Sequence, residues 1–210
     1  MKRPGLALAG VSVLLSAWVW PLPSLGAPPF SAHMTMHMAV VAVAAPLFSL
    51  ALAGGRFDPV PRAPRLFSAI PASIVELCAV WAWHAPALHH AARHHAWAFA
   101  LEQGTFLLAG ILLWCAALGG SRAERRERAI AGIIGLLLTS MHMTLLGALL
   151  ALTPRVLYEH PGYDAALSPL LDQQLGGAIM LLFGGAAYLA GGVGLAADVL
   201  VDRRAHKERA

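Results

Sequence analysis

Histidine and methionine alternate over a short segment at the start of a long apolar stretch, positions 33–38, which read HMTMHM. On a helix, His33 and His37 lie one turn apart on the same face, and Met34 and Met38 form the stripe beside them. Imidazole and thioether groups are suited to copper, especially Cu(I), and poorly suited to magnesium or calcium. The segment therefore predicts a copper site with His33, Met34, His37 and Met38 as ligands.

Two further places in the sequence offer the same donor groups. His84 ends another apolar stretch, and Met141, His142 and Met143 interrupt a third. We expect His84 to close the copper site from its own helix. Counting back from the end of its stretch, at about 1.5 Å per helical residue, places His142 near the middle of a membrane. Residues 141–143 are therefore expected to form a deeper copper station.

Carboxylates near these donors are expected to support them. Glu102 and Asp172 are predicted to orient the imidazoles of the site, although Asp172 also stands where it would cap a helix. Glu76 falls at the depth of His142, and we expect the two to pair because an ionisable group inside a membrane usually faces a partner. The loop after His84 is either a solvated connector or a source of further ligands, and its histidines are His89, His90, His94 and His95.

The composition identifies the surroundings of these residues. Hydrophobic residues make up 58% of the chain, charged residues 12%, and the mean hydropathy is +0.65, whereas a soluble domain carries about 25% charged residues. The apolar runs approach the roughly 20 residues that cross a bilayer, and in lipid they must be helical. We predict an all-α, polytopic membrane helical bundle, a single integral-membrane domain over residues 1–210. Its six predicted transmembrane helices are Gly5–Leu25, His33–Ala53, Leu66–Pro86, Ala96–Leu118, Ala129–Leu152 and Leu175–Leu200.

The first and last spans carry additional signals. The first is either a retained helix, which its length favours, or a cleaved signal peptide, because basic residues precede it and small residues follow it. In the last span, Gly177, Gly184 and Gly191 recur every seven residues. Small residues at this spacing predict close packing against other helices.

Basic residues between the spans predict the orientation of the chain. Of the 15 lysines and arginines, only Arg93 and Arg155 fall on one side of the membrane, and the positive-inside rule places the other side in the cytoplasm. Both termini are then cytoplasmic, and the predicted copper ligands near the helix ends face outward. The excess of basic over acidic residues thus reflects the membrane topology, and we expect no nucleic-acid partner.

Several separated motifs stand in a fixed order along the chain: SAHM at 31–34, VAAPL at 43–47, WHAP at 83–86, LE at 101–102, LLGA at 145–148 and PLLDQQLGG at 169–177. Over about residues 31–200 they resemble the multi-span CtaG family of cytochrome c oxidase assembly proteins. The resemblance implies a bacterial inner-membrane protein that helps to mature a haem-copper oxidase by loading copper on the periplasmic side. Its implied partners are oxidase subunits and the lipid bilayer. Gln103 stands where relatives often carry histidine, which weakens the case for a metal ligand there.

Two other functions remain open from the residues. In a haem-binding electron-transfer protein, His37, His84 and His142 would supply axial ligands. A copper transporter would need ligands that continue to the cytoplasmic side, where only Cys78 and Cys115 offer them. No nucleophile stands with a base and no nucleotide motif occurs, so we do not expect an enzyme.

Overall fold

Helices account for most of the chain that the computed structural model describes, namely residues 3–19, 29–120, 125–158 and 167–207. No strand occurs within these ranges, which confirms the predicted all-α class. The described helices are α1 (Pro4–Trp18), α2 (Pro29–Met38), α3 (Ala45–Leu52), α4 (Ala69–Trp83), α5 (Pro86–His94), α6 (Ala96–Leu118), α7 (Arg125–Leu152), α8 (Pro169–Ile179) and α9 (Gly185–Lys207).

Four of the described helical stretches are long and apolar enough to cross a membrane, as in a multi-pass membrane protein: Phe30–Leu52, Ala96–Leu118, Glu127–Leu152 and Pro169–Val201. Two shorter apolar helices, α1 and α4, correspond to the first and third predicted spans. The end of the first predicted span, residues 20–25, lies outside the described residues. The six-span count and the cytoplasmic termini therefore stay predictions.

A π-helical segment joins α2 to α3 and exposes a backbone carbonyl to side chains. In this segment, Ala39–Ala44, the N–H of Ala45 bonds to the carbonyl of Val40, five residues earlier. The next donor in this register would be Pro46, which has no N–H, so the carbonyl of Val41 loses its helical partner. It accepts instead from Trp114 Nε1 and Tyr188 Oη, each at 3.3 Å.

The last two helices form one long rod through a second π-helical segment, Met180–Gly184. The rod begins at Pro169, earlier than the predicted Leu175, because Ser168 caps it by accepting from the N–H of Leu171 at 3.3 Å. Hydropathy alone placed the start of the span at Leu175, because the polar residues before it lower the mean hydropathy of the first turns.

Glycines of this rod allow close contacts with neighbouring helices, as their spacing predicted. A Cβ added to Gly177 would lie 2.8 Å from the carbonyl oxygen of Gly147 on α7. A Cβ added to Gly191 would lie 2.6 Å from the Trp114 ring on α6. The close approach of these helices therefore depends on the missing side chains.

Buried carboxylates organise the loops at one end of the bundle. Asp58 is buried and accepts from the N–H groups of Gly54, Val60 and Gly120 at 2.7, 3.0 and 2.9 Å. These bonds tie the α3–α4 connection to the end of α6. A buried backbone N–H left without a partner would be costly, so Asp58 stabilises this end of the fold.

Candidate metal centre

Four helical elements meet at the other end of the bundle and place several potential metal ligands together. His33 and His37 come from α2, His84 follows the last residue of α4, His89 belongs to α5 and Glu102 to α6. Each of these side chains is at most 6% exposed. Polar groups this deeply buried need partners, and three of the predicted ligands are among them.

His33, His89 and Glu102 form the group nearest the helix ends, which we call the outer triad. Nε2 of His33 lies 3.2 Å from Oε1 of Glu102, and the imidazole rings of His33 and His89 meet edge to face with centroids 5.2 Å apart. One ligand atom from each residue lies within 4.8 Å of the other two. Three donors from three helices therefore converge on one point.

A chain of hydrogen bonds orients the carboxylate of the outer triad. Oε2 of Glu102 accepts from Nε2 of Gln103 at 3.2 Å, and Oε1 of Gln103 accepts from Nε1 of Trp18 on α1 at 3.0 Å. The second carboxylate oxygen is thereby turned towards His33. Gln103 acts through Glu102, and its contacts give it no direct place in the triad.

Met34, His37 and His84 form a second group, which we call the inner triad. Nδ1 of His84 lies 2.7 Å from the carbonyl oxygen of Val80, which can only accept, so Nδ1 carries the proton. Nε2 of His84 then presents its lone pair to the sulfur of Met34, 3.4 Å away. The ring centroids of His37 and His84 are 5.5 Å apart. Within the described part of the chain, neither ring nitrogen of His37 has a hydrogen-bond partner.

The two triads are stacked along the same pair of helices. His33 and His37 are one turn apart on α2, and Glu102 and Phe106 are one turn apart on α6. At the level of the inner triad, α6 contributes the ring of Phe106, whose centroid lies 3.9 Å from the centroid of the His37 ring. Where α6 contributes a carboxylate to the outer triad, it thus contributes an apolar ring beside the inner one.

Aromatic side chains cover the outer triad. Phe30 and Tyr158 stack with centroids 4.5 Å apart, and the Tyr158 ring lies 4.4 Å from that of His89. The hydroxyl of Tyr158 donates to the carbonyl of His84 at 2.6 Å. Burial raises the pKa of Tyr158 to about 12, so this group remains a donor at neutral pH. Sequence reasoning missed Tyr158, because nothing in the local pattern links it to α5.

Asp172 orients a whole helix rather than an imidazole. Its two carboxylate oxygens accept from the N–H groups of Phe30 at 2.9 Å and Ser31 at 3.0 Å, the first turn of α2. The prediction that Asp172 contacts a metal-binding histidine is therefore corrected, and so is the alternative that it caps its own helix. Capping from a neighbouring helix fixes the position of both α2 histidines.

Gln173, next to Asp172, fixes the segment that carries the aromatic cover. Its Oε1 accepts from the N–H of Leu157 at 2.7 Å, and its Nε2 donates to the carbonyl of Arg155 at 3.0 Å. The polar start of α8 thus holds two neighbouring segments against the triads.

The structure does not bring residues 141–143 to the triads. The side chain of Met141 is 69% exposed, whereas Met143 is fully buried near Met38 on the other side of Gly184. Consecutive helical residues point about 100° apart, so three in a row cannot all face one site. Met38 likewise belongs to the apolar core, and its sulfur, like Met143, lies beside Gly184.

His142 and Glu76, which were expected to pair, lie apart. His142 is buried, and neither of its ring nitrogens has a hydrogen-bond partner among the described residues. Glu76 accepts a short hydrogen bond from the hydroxyl of Tyr188. The prediction of a Glu76–His142 pair was wrong, because Glu76 pairs with Tyr188 instead.

The histidine-rich loop forms the helix α5 and the residue after it, His95, and its four histidines have different environments. His89 is buried in the outer triad, whereas His90, His94 and His95 are exposed. The rings of His90 and His94, one turn apart, have centroids 4.0 Å apart at the surface. A helix starting at Pro86 places His89 and Ala92 on one face, and this signal would have separated His89 from the others.

Comparisons with known proteins identify the family of the chain. Neither the curated proteins nor the solved structures give a match to the chain. One family model matches residues 1–200, almost the full length, and its description is cytochrome c oxidase caa3 assembly factor. The chain therefore belongs to the Caa3_CtaG family of cytochrome c oxidase assembly factors.

Proposed function

We propose that this protein is an assembly factor of the bacterial inner membrane that binds copper at the triads and aids its insertion into a haem-copper oxidase. The observation that carries the proposal is the convergence of four imidazoles, one thioether and one carboxylate in a buried place at one end of the bundle. Membership of an oxidase assembly family supplies the process and its partner, the oxidase.

The donor set suits a carrier that must release its cargo. Imidazole and thioether groups favour copper, and they bind it less tightly than a closed cage of thiolates. The cysteines do not provide such a cage, because Cys78 is exposed and the thiol of Cys115 donates to Ser49 at 3.3 Å. The function is accordingly proposed as non-catalytic.

The distribution of basic residues supports an extracytoplasmic location for the triads. With six spans and both termini in the cytoplasm, the start of α2, the end of α4 and the start of α6 all face outward. Copper would then be bound on the side where the copper centres of an oxidase are completed.

Two rival functions are less well supported by the geometry. The haem alternative needs two of His37, His84 and His142 on opposite faces of a porphyrin, but Nε2 of His84 lies 3.4 Å from the sulfur of Met34, which leaves no room for a porphyrin there. An absorption spectrum of the purified protein decides this, since a Soret band would favour haem. A transporter would need ligands along the whole membrane, and uptake of copper by vesicles containing only this protein would favour that function.

The proposal is tested with the double variant His33→Ala and His37→Ala in the full-length protein. We expect bound copper, measured by metal analysis after purification, to fall to background, and oxidase activity of the host membranes to fall with it. The matched control is His94→Ala with His95→Ala, which removes two exposed histidines and should leave both measurements unchanged. Unchanged copper in the first variant, or its loss in the control alone, would reject the site.

A further inference from the structure

The two triads differ in ligand chemistry although each contains a histidine of α2 and lies against α6. The outer triad offers two imidazoles and a carboxylate, and the inner triad offers two imidazoles and a thioether. Nitrogen with carboxylate oxygen suits divalent ions such as Zn²⁺ or Cu²⁺, whereas thioether sulfur selects Cu(I). We propose that the triads are two separate metal sites occupied together, a divalent ion in the outer triad and a cuprous ion in the inner one. The inference rests on the proposed function, since it divides that copper site into two.

The inner triad has the geometry of two ligands that share one ion. Nitrogen and sulfur ligands held at about 2.0 and 2.3 Å, with a roughly tetrahedral angle between them, lie about 3.5 Å apart. Nε2 of His84 and Sδ of Met34 are 3.4 Å apart. Because Nδ1 of His84 is committed to the carbonyl of Val80, both facing atoms present lone pairs, and a cation between them removes their repulsion.

His37 completes the inner triad as the third donor. Two imidazoles bound to one ion place their ring centroids roughly 5–6 Å apart, and the centroids of His37 and His84 are 5.5 Å apart. Both ring nitrogens of His37 lack a hydrogen-bond partner among the described residues, although the side chain is fully buried. An imidazole without a partner in such a place is costly unless something binds it.

The net charge of each occupied triad also favours different ions in the two sites. A buried site disfavours excess charge. A divalent ion beside the carboxylate of Glu102 leaves one net positive charge, and so does a monovalent ion among the neutral donors of the inner triad. A divalent ion in the inner triad would leave two, because Phe106 stands where the outer triad has its carboxylate. Burial and donor type therefore favour the same assignment.

The test is a paired titration of the purified full-length protein without oxygen. Cu(I) is supplied in competition with bicinchoninate, and Zn²⁺ in competition with a chromophoric chelator, each alone and in the presence of the other. We expect one equivalent of each ion to bind at the same time, with each ion weakening the affinity for the other, because two cations lie close together in a buried place, but not displacing it. X-ray absorption at the copper edge is expected to show one sulfur ligand.

Two variants distinguish the sites. Met34→Leu keeps the volume of the side chain and should weaken Cu(I) at least about tenfold while Zn²⁺ binding stays unchanged. Glu102→Gln should do the reverse. Met141→Leu, an exposed methionine in a helix, is the matched control and should change neither affinity.

The outcomes separate failure of this inference from failure of the proposed function. If Cu(I) and Zn²⁺ displace one another and never exceed one equivalent in total, the triads form a single site; the inference fails and the copper-binding proposal stands. A cuprous complex without a sulfur ligand also overturns the inference, whatever the variants do. A wild-type protein that binds no copper rejects both.

Discussion

The outer and inner triads both take histidines from α2 and both lie against α6, one turn apart, yet they present different chemistry. On α2 the same residue type recurs after four positions, as His33 and His37, whereas on α6 Glu102 is followed by Phe106. The remaining donors differ too, because His89 of α5 completes the outer triad, whereas Met34 of α2 and His84 at the end of α4 complete the inner one. Residues one helical turn apart therefore face the same region and can form two sites, while the individual side chains determine which class of ion each site suits.

Support also differs between the two triads. The carboxylate of the outer triad is oriented by Gln103, its neighbour on α6, which is itself held by Trp18 of another helix, α1. In the inner triad, His84 is fixed by the carbonyl of Val80 on its own helix. The outer triad is thus the more dependent on how the helices pack, and variants of its neighbours should affect it alone.

The largest separation of the two triads is expected from His37→Asn. This change removes a ligand of the inner triad only and breaks no hydrogen bond within the described residues. Cu(I) affinity should fall about 100-fold, while Zn²⁺ binding to the outer triad should be retained. Competition titration measures both, with His95→Asn as an exposed control. An equal loss of both ions would show that the triads are not independent.

A smaller and opposite effect is expected from Gln103→Leu. Without its donor, Glu102 loses the bond that turns its second oxygen towards His33, and Zn²⁺ affinity should fall about tenfold with Cu(I) affinity unchanged. Gln174→Leu, which removes a comparable bond to the carbonyl of Thr153, serves as the control. The orienting role would be disproved by Zn²⁺ affinity that equals that of the control.

Asp172→Ala should affect both triads equally, because α2 carries a histidine of each. Loss of the cap on α2 should lower the free energy of unfolding by about 1 kcal/mol and weaken both ions by a similar few-fold factor. Asp58→Ala removes a similar carboxylate from the opposite end of the bundle and should lower the melting temperature without changing either affinity. A selective loss of one ion in the Asp172 variant would contradict this explanation.

The smallest effect is expected from Tyr158→Phe, which keeps the aromatic stack over His89 but removes the bond to the carbonyl of His84. The cost should be at most about 1 kcal/mol, seen as a lower melting temperature, and both metal affinities should change less than threefold. A large loss of Zn²⁺ binding would instead make the hydroxyl part of the outer triad.

Much of the candidate site was accessible from the residues themselves. The alternation of histidine and methionine at positions 33–38 indicated the donors of α2, and the structure places His84 and Glu102 near them. Glu102 was expected to orient an imidazole, whereas its carboxylate here offers a ligand atom itself. Met141 was predicted as a ligand, but its side chain is exposed. The local sequence does not show which face of a helix is buried. His89 could not be separated from three other histidines until α5 was recognised as a helix with one buried face.

The sequence by itself determined that the chain is helical, apolar and multi-pass, and that it resembles an oxidase assembly family. These properties follow from runs of apolar residues and from short motifs, which are local features of the chain. The tertiary structure decided which helix faces meet, and so it divided the donors into two triads and assigned Asp172 to the cap of α2. Helix faces are set by contacts among several helices, by the glycines that let them approach, and by a π-helical segment that turns the face of everything after it. No window of the sequence contains that information.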